Sequence, residues 1–231
     1  AVNAMCFDVS AACSGFITAL DIAASMLKAG SYKYALVIGS EKMSEIVNWK
    51  DRSVCVLFGD GAGAVVLKAV DNNTEDVTGA LVGHERGIID SNIYNDGTGA
   101  SVLTGGRRFS DSCSTDIFIH MDGQEVFKFA VKSVPTAIET LLHNNNMDIN
   151  EVDKFILHQA NVRIIESVAK RLKADKDKFP VNLNEYGNTS SASIPILLDE
   201  LNRNGSLKQG EKLVLAGFGA GLSWGSILLV W

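Results

Sequence analysis

Asp8-Val9-Ser10-Ala11-Ala12-Cys13-Ser14-Gly15-Phe16 joins two hydrophobic patterns whose meeting point decides the fold. An apolar run over 2–9 leads into it and predicts a strand. Phe16, Leu20, Ala23 and Leu27 follow at i, i+4, i+7 and i+11, the spacing of one helical face. Cys13 is therefore placed where a strand turns into a helix. Unpaired N–H groups and the positive end of the macrodipole favour an anion at a helix start, which predicts a thiol that ionises more easily than usual. The small neighbours Ser10, Ala11, Ala12, Ser14 and Gly15 leave room for a substrate. A lone cysteine in a tight turn is more often a small buried hydrophobe, so other residues must shift that reading.

Beyond this helix, Gly30 is a natural stop and residues 34–39 form a short continuous apolar run, predicting a strand buried on both faces. Strand, helix and strand make a β-α-β unit, for which parallel strands are expected. Residues 54–58 and 64–67 predict two more strands around the turn Gly59-Asp60-Gly61-Ala62-Gly63. A phosphate loop would need a helix directly after the glycines, and β-branched residues follow instead. A strand is expected over 79–87. The polar, glycine-rich stretch 90–114 then suggests a boundary or a substrate-facing loop, with Cys113 an exposed bystander. Next come an expected strand over 115–121, a helix over 123–145 kinked or broken near Pro135, and a strand over 154–157. Asn161 can cap a helix whose apolar face is Ile165, Val168, Ala169 and Leu172. A last helix over 190–204 ends at Gly205, and strands over 212–218 and 224–230 flank Gly219-Ala220-Gly221.

The chain has 231 residues, 46% of them hydrophobic, enough for one large domain or two fused units. Its four cysteines form no CxxC and no histidine-paired ligand spacing, which argues against zinc and disulfides and fits a reducing cytosol. The apolar start lacks a basic flank and is interrupted by Asp8 and Asp21, unlike a secretory segment. Nor does Ser10-Ala11-Ala12-Cys13 carry the leucine of a lipoprotein cleavage box. No apolar run reaches membrane-spanning length. A net charge of −6 argues against nucleic-acid binding over the whole surface and leaves room for a local basic patch.

The two halves echo each other. Phe58-Gly59-Asp60-Gly61 running into Gly63-Ala64-Val65-Val66-Leu67 has its counterpart in Phe218-Gly219-Ala220-Gly221 and Gly225-Ser226-Ile227-Leu228-Leu229. A duplicated unit is expected, with residues 1–90 in the first half, 91–114 connecting and 115–231 in the second. If the halves are equivalent, the first lacks about two strands and two helices at its front, and its start is a cut edge. His158 ends a buried strand just before a helix, the end of a parallel sheet where ligands collect. Asn188 opens a second small-residue turn, Tyr186-Gly187-Asn188-Thr189-Ser190-Ser191-Ala192-Ser193, in the place that the Cys13 turn holds in the first half. Taken singly, His158 is also a satisfied structural histidine and Asn188 a helix cap. As a set, cysteine, histidine and asparagine also occur in papain-like proteases.

Ala12-Cys13-Ser14-Gly15-Phe16, His158-Gln159-Ala160-Asn161, Gly187-Asn188-Thr189-Ser190 and Gly217-Phe218-Gly219 through Ser223-Trp224-Gly225, in this order, resemble β-ketoacyl-acyl-carrier-protein synthase III, the initiating condensing enzymes of type II fatty-acid synthesis. The resemblance implies an α/β protein with a thiolase-like αβαβα layered fold of two duplicated halves, the N-terminal half incomplete. It implies that Cys13 takes an acyl group from a short acyl-CoA. His158 and Asn188 would then stabilise the enolate formed as malonyl-carrier protein loses carbon dioxide. The N–H groups of Cys13 and Ala220 would form the oxyanion hole, and Phe218 would shield the cavity. Ala220 stands where glycine is usual, at a cost of roughly 1 kcal/mol if the turn needs a positive φ. Arg52 would lie near the CoA adenine, and Gly123 and Phe127 along the pantetheine tunnel. Arg163 and Lys170 would guide an acidic carrier protein, although such basic faces are commonly just solvated. Neither metal nor cofactor is implied, acyl-CoA and the malonyl-carrier protein being substrates, and a cytoplasmic homodimer is expected. Two other readings remain open: a starter-unit ketosynthase or acyltransferase of polyketide synthesis, and a non-catalytic assembly partner.

Overall fold

The computed structural model describes residues 2–70, 86–105 and 117–231. In chain order the described elements are α1 (Gly15–Lys28), β1 (Tyr34–Glu41), β2 (Gly61–Lys68), β3 (Gly87–Asn95), β4 (Leu103–Thr104), β5 (His120–Met121), α2 (Gly123–Asn144), β6 (Lys154–Leu157), α3 (Val162–Leu172), α4 (Leu183–Tyr186), α5 (Ser193–Arg203), β7 (Lys212–Gly219) and β8 (Ser223–Val230). Short 3-10 turns at Ala12–Ser14 and Ser190–Ala192 precede α1 and α5.

These elements stack in layers. β1 and β2 form a two-stranded antiparallel sheet, and β3-β8-β7-β6 form a four-stranded sheet in which only β6 and β7 run parallel. Period-2 alternation in the larger sheet sends side chains to both faces. Ile156, Leu213, Leu215, Ile227 and Leu229 point inward and meet Phe16, Ile17 and Leu20 of α1 and Ile194, Leu197 and Leu198 of α5. Val37 of β1 and Val65 and Leu67 of β2 close the same core from the other side, so α1 and α5 lie between the sheets. On the opposite face, Phe155, Leu157, Val214, Ala216 and Leu228 pack under α2 and α3. Each such fully buried aliphatic side chain contributes roughly 1.5–3 kcal/mol.

Several sequence expectations are corrected. Residues 2–9 are not a strand: no described strand lies beside them, and Val2, Met5 and Phe7 are exposed. β1 consequently has no parallel partner from that segment and pairs with β2 instead. It is buried on one face only, since Tyr34, Leu36 and Ile38 point away from α1 to a side where no described element packs. Residues 54–57 are turns rather than strand; Val54 joins Met43, Val47 and Ile119 in a small separate core, and Phe58 makes an isolated bridge to Asn188. Gly61 and Gly63, expected in a turn, lie in β2. The expected strand at 79–87 falls mostly outside the described residues, as does Cys113. Residues 91–95, expected in the connecting loop, belong to β3. Their polar side chains mimic a loop but are satisfied on both faces: Ser91 bonds Asp21 of α1, and Asn92 donates to the Ala137 carbonyl of α2 at 2.8 Å and accepts from Ser226 at 2.6 Å. Of the expected 115–121 strand, His120–Met121 is observed. Helix α2 runs unbroken through Pro135. Proline removes the N–H that the Val131 carbonyl would accept, and Arg171 of α3 reaches that carbonyl at 3.4 Å.

The helix termini and closing strands follow the sequence reading. Asn161 caps α3 through Arg163 N–H at 2.8 Å, and Gly30, at φ 77°, allows the turn out of α1. The two halves also share a local device. Ala12 (φ 46°) and Ser190 (φ 50°) both take the left-handed conformation at the 3-10 turn before their helices.

Glycines let these turns seat directly on the sheets. A Cβ on Gly63 would lie 2.8 Å from Ile196 N and 3.0 Å from the Pro195 carbonyl carbon, whereas one on Gly97 would meet nothing within 4 Å. Gly63→Ala is expected to lower stability by about 1–3 kcal/mol, and Gly97→Ala by less than about 0.5 kcal/mol, as measured by urea denaturation midpoints.

Candidate active site

Cys13 occupies the middle of the 3-10 turn ahead of α1 and is buried. The turn is fixed from two sides. Ser14 Oγ lies 2.7 Å from the Ala11 carbonyl and 2.8 Å from Ser223 Oγ, so it donates to the first and accepts from the second. Gly219, the last residue of β7, packs against the cysteine itself: a Cβ there would sit 2.9 Å from both the Cys13 nitrogen and the Cys13 Cβ. Only glycine allows that approach. It brings Phe218 and Ala220, on either side of Gly219, to the cysteine turn.

Burial pushes the Cys13 thiol up to about 11. The carboxylate of Glu41 adds to the rise, while a hydrogen bond from Ser190 and the cysteine's own N–H oppose it. The expected acidic thiol is thus overturned. A helix terminus contributes about 0.3–1 kcal/mol, and a pKa displacement of two units corresponds to about 2.7 kcal/mol, so desolvation wins. Glu41 ends β1 and is held by Ser191, whose Oγ donates to it at 2.5 Å. This bond ties β1 to the turn that carries Asn188.

His158 is the first residue beyond β6, and its N–H extends the parallel ladder to the Ala216 carbonyl at 2.8 Å. The ring is buried, with Phe218 edge-on at 5.3 Å and Ser193 Oγ 2.7 Å from Nδ1. Burial alone drives its pKa down to about 3, so the imidazole is neutral near pH 7.

Asn188 sits on the opposing turn. Its N–H donates to the Leu57 carbonyl at 2.8 Å, and its own carbonyl accepts from Gly59 N–H at 3.0 Å. Side-chain Oδ1 accepts from Ser190 N–H at 2.9 Å. Asn188 is not the helix cap that the sequence suggested, since Thr189 and Ala192 hold the N-cap positions; its bond to Ser190 N–H is a local side-chain turn that fixes the amide orientation. Among the described residues neither Asn188 Nδ2 nor His158 Nε2 has a hydrogen-bond partner. The three residues are linked through shared neighbours: Ser190 bonds both Cys13 and Asn188, and Phe218, against the His158 ring, adjoins Gly219 on the cysteine turn.

The other sequence-predicted residues fall around this centre. Ala220 does not have a positive φ, so alanine brings no strain; Gly221, at φ 141°, takes the unusual conformation. Arg52 is exposed in the turns after β1. Gly123 opens α2, and Phe127 packs on the outer core. Ile119, just before α2, bonds Ile46 at 2.8 Å and shares the small core of Met43 and Val54, which brings the Arg52 segment to the start of α2. Arg163 and Lys170 are exposed on α3, whose first turn follows His158 closely in the chain. A cavity of about 340 Å³ between β2, α5 and β8 is lined by Leu20, Val65, Pro195 and Leu198 and by none of the three central residues. Among the described residues no cluster of three or more His, Cys, Asp or Glu could hold a metal, and no helix is long and apolar enough to cross a membrane. The sequence reading singled out neither Glu41 nor Ser193. The serines of 190–193 were visible only as a small polar cluster.

Comparison with known proteins assigns the chain to a family. A family model described as 3-oxoacyl-[acyl-carrier-protein (ACP)] synthase III matches residues 7–97, and one described as its C terminal matches residues 142–231. The β-ketoacyl-[acyl-carrier-protein] synthase III of Clostridium acetobutylicum is 46% identical over 237 residues, covering 100% of this chain and 69% of the relative. The chain belongs to the β-ketoacyl-acyl-carrier-protein synthase III family. It is a condensing enzyme of the acyltransferase type with a thiolase-like fold. The crystal structure of the Aquifex aeolicus synthase III superposes with a TM-score of 0.87 at 44% identity, covering 99% of this chain and 68% of that one. A priming β-ketosynthase from the R1128 polyketide biosynthetic pathway superposes with a TM-score of 0.85 at 36% identity, covering 99% of this chain and 66% of that one.

The electrostatics of Cys13 can be tested directly. Its alkylation by iodoacetamide should rise with pH toward about 11. Glu41→Gln removes the neighbouring negative charge while keeping an acceptor for Ser191. The alkylation profile should then move to lower pH, with a rate gain below about tenfold at pH 8. An unmoved profile would contradict the assignment of Glu41 as a perturbing charge.

Proposed function

We propose that the protein catalyses decarboxylating condensation of a short acyl-CoA with malonyl-acyl carrier protein, giving β-ketoacyl-acyl carrier protein and starting fatty-acid synthesis. The observation that carries this reading is the pair of unpartnered donors, His158 Nε2 and Asn188 Nδ2, in the same buried site as the Cys13 thiol.

The chemistry follows from protonation states. Cys13 Sγ attacks the thioester carbonyl of acyl-CoA, its proton passes to the departing CoA sulfur, and an acyl-enzyme remains. The malonyl thioester then loses carbon dioxide, and the electron pair moves onto its thioester oxygen. Neutral His158 and Asn188 donate hydrogen bonds to that oxygen as charge develops. The enolate carbon attacks the acyl carbonyl on Cys13, the N–H groups of Cys13 and Ala220 receive the oxyanion, and collapse expels the cysteine sulfur as thiolate, which takes a proton from solvent water. Phe218, packed on His158, keeps the carboxylate end of the substrate in apolar surroundings that favour its departure as neutral carbon dioxide.

Arg52, Gly123 and Phe127 are assigned to acyl-CoA binding, and Arg163 with Lys170 to the carrier protein. Arg163 lies in the first turn of α3, where the macrodipole disfavours a cation, so helix stability does not account for it. Homodimerisation and a cytoplasmic location belong to the same proposal. A second reading, a starter-unit ketosynthase of polyketide synthesis, is supported by the similarity to the priming β-ketosynthase. The intact set of Cys13, His158 and Asn188 weighs against a non-catalytic assembly partner.

The test incubates the protein with acetyl-, branched- and longer acyl-CoAs and reads the adduct on Cys13 by intact mass, then follows carbon dioxide release from malonyl-carrier protein. Cys13→Ala should abolish the adduct. Asn188→Ala should retain it and slow carbon dioxide release by about 10²–10³-fold. Absence of any adduct from folded wild-type protein would sink the reading, and an adduct without carbon dioxide release would favour a simple acyltransferase. Arg163→Glu should weaken carrier-protein binding and remove part of its salt dependence, with acyl-CoA loading unchanged. Equal loss of both half-reactions would remove Arg163 from the docking face.

A further inference from the structure

We infer that Ser193 is a positioning residue that fixes His158 as the Nε2–H tautomer, so that the ring presents a hydrogen-bond donor to the reacting oxygen. The inference rests on the condensing reaction proposed above for its purpose, and on hydroxyl geometry for its content.

Ser193 is the first residue of α5, and both it and His158 are buried. Its Oγ has one proton to donate and two lone pairs. One lone pair accepts Gln159 N–H at 3.2 Å. His158 Nδ1 stands 2.7 Å away, and among the described residues it is the acceptor within reach of the Ser193 proton. If Nδ1 carried hydrogen, Ser193 would accept twice and its own proton would be stranded in a buried place, an arrangement folded proteins avoid. Donation from Ser193 to Nδ1 satisfies both the hydroxyl and Nδ1 and leaves Nε2 open to substrate. It also requires the single proton of the neutral ring to sit on Nε2. His158 is neutral near pH 7 because burial holds its pKa far below the usual histidine value. The tautomer therefore decides whether the ring offers a donor or an acceptor to substrate.

The arrangement joins both ends of the second half. The backbone of His158 hangs from β7 through the Ala216 carbonyl, and its ring is steered by the helix that follows the Asn188 turn. Asn188 is oriented by the same segment, since Ser190 N–H binds its Oδ1 at 2.9 Å. The stretch 188–193 thus aims both donors. A serine hydroxyl aims the imidazole and a backbone N–H aims the amide.

The experiment uses the full chain labelled with ¹⁵N-histidine, the His158 signals being assigned by their loss in His158→Gln. Long-range proton–nitrogen correlations at neutral pH should show a protonated Nε2 and an unprotonated Nδ1 in the wild type. Ser193→Ala should mix the two tautomers and slow carbon dioxide release from malonyl-carrier protein by about tenfold or more, while the Cys13 acyl adduct still forms. Ser193→Thr keeps the hydroxyl and should restore both the spectrum and most of the decarboxylation rate. A wild-type spectrum with Nδ1 protonated, or an unmixed Nε2–H spectrum in Ser193→Ala, would overturn the inference. If wild type forms no acyl adduct, the condensation reading fails and the nitrogen spectra still decide the tautomer.

Discussion

The whole arrangement depends on two helix-leading turns seated against sheet backbone with no side chain between. Gly219 accepts the Cys13 turn onto β7, and Gly39 and Gly63 accept the segment 191–196 onto β1 and β2; a Cβ on Gly39 would come within 2.8 Å of the Ser191 carbonyl oxygen. Most polar groups of the two buried turns are satisfied locally, with Thr189 Oγ1 left without a partner among the described residues. Ser14 engages Ala11 and Ser223, Asn188 engages Ser190, and Ser191 engages Glu41. Remove the close approach and the thiol, the imidazole and the amide no longer share one desolvated space.

That constraint also explains which parts of the fold could be seen in the sequence. Helices α1 and α3 announced themselves by one apolar face each, whichever distant elements come to cover those faces. Gly61 and Gly63 misled for a physical reason. A glycine demanded by contact with a distant turn looks the same as one demanded by a local bend. Segment 91–95 misled in the opposite sense. Its Ser91 and Asn92 look like loop residues until Asp21, Ala137 and Ser226 arrive from elsewhere to satisfy them. The expected full burial of β1 failed because apolar composition cannot tell a covered face from an uncovered one.

The candidate site divides in the same way. Cys13, His158 and Asn188 were legible as chemical types at the ends of predicted elements, and the resemblance to the synthase III family ordered them. Their partners were not legible. Ser193 is one serine among several, and it is singled out only when Gln159 N–H takes one of its lone pairs and His158 Nδ1 stands in line with its proton. Glu41 lies far from Cys13 in sequence. Its charge reaches the thiol because β1 ends beside the turn that carries Asn188.

Burial of both titratable groups decides between two uses of a cysteine–histidine pair. In a papain-like site the resting pair is a thiolate beside an imidazolium, which needs a thiol pKa below that of the imidazole. Here the thiol is held up at about 11 and the imidazole down at about 3. This order favours the neutral thiol and imidazole over the thiolate–imidazolium pair, and the shared cause is desolvation. A helix terminus, worth less than the burial it opposes, cannot restore the ion pair. A neutral imidazole cannot serve as a resting cation, but it can donate a hydrogen bond wherever negative charge develops. A decarboxylation that leaves charge on a thioester oxygen calls for such a donor. In the condensation proposed above, burial would suit His158 to stabilising an enolate and would keep Cys13 protonated until the departing CoA sulfur takes its proton.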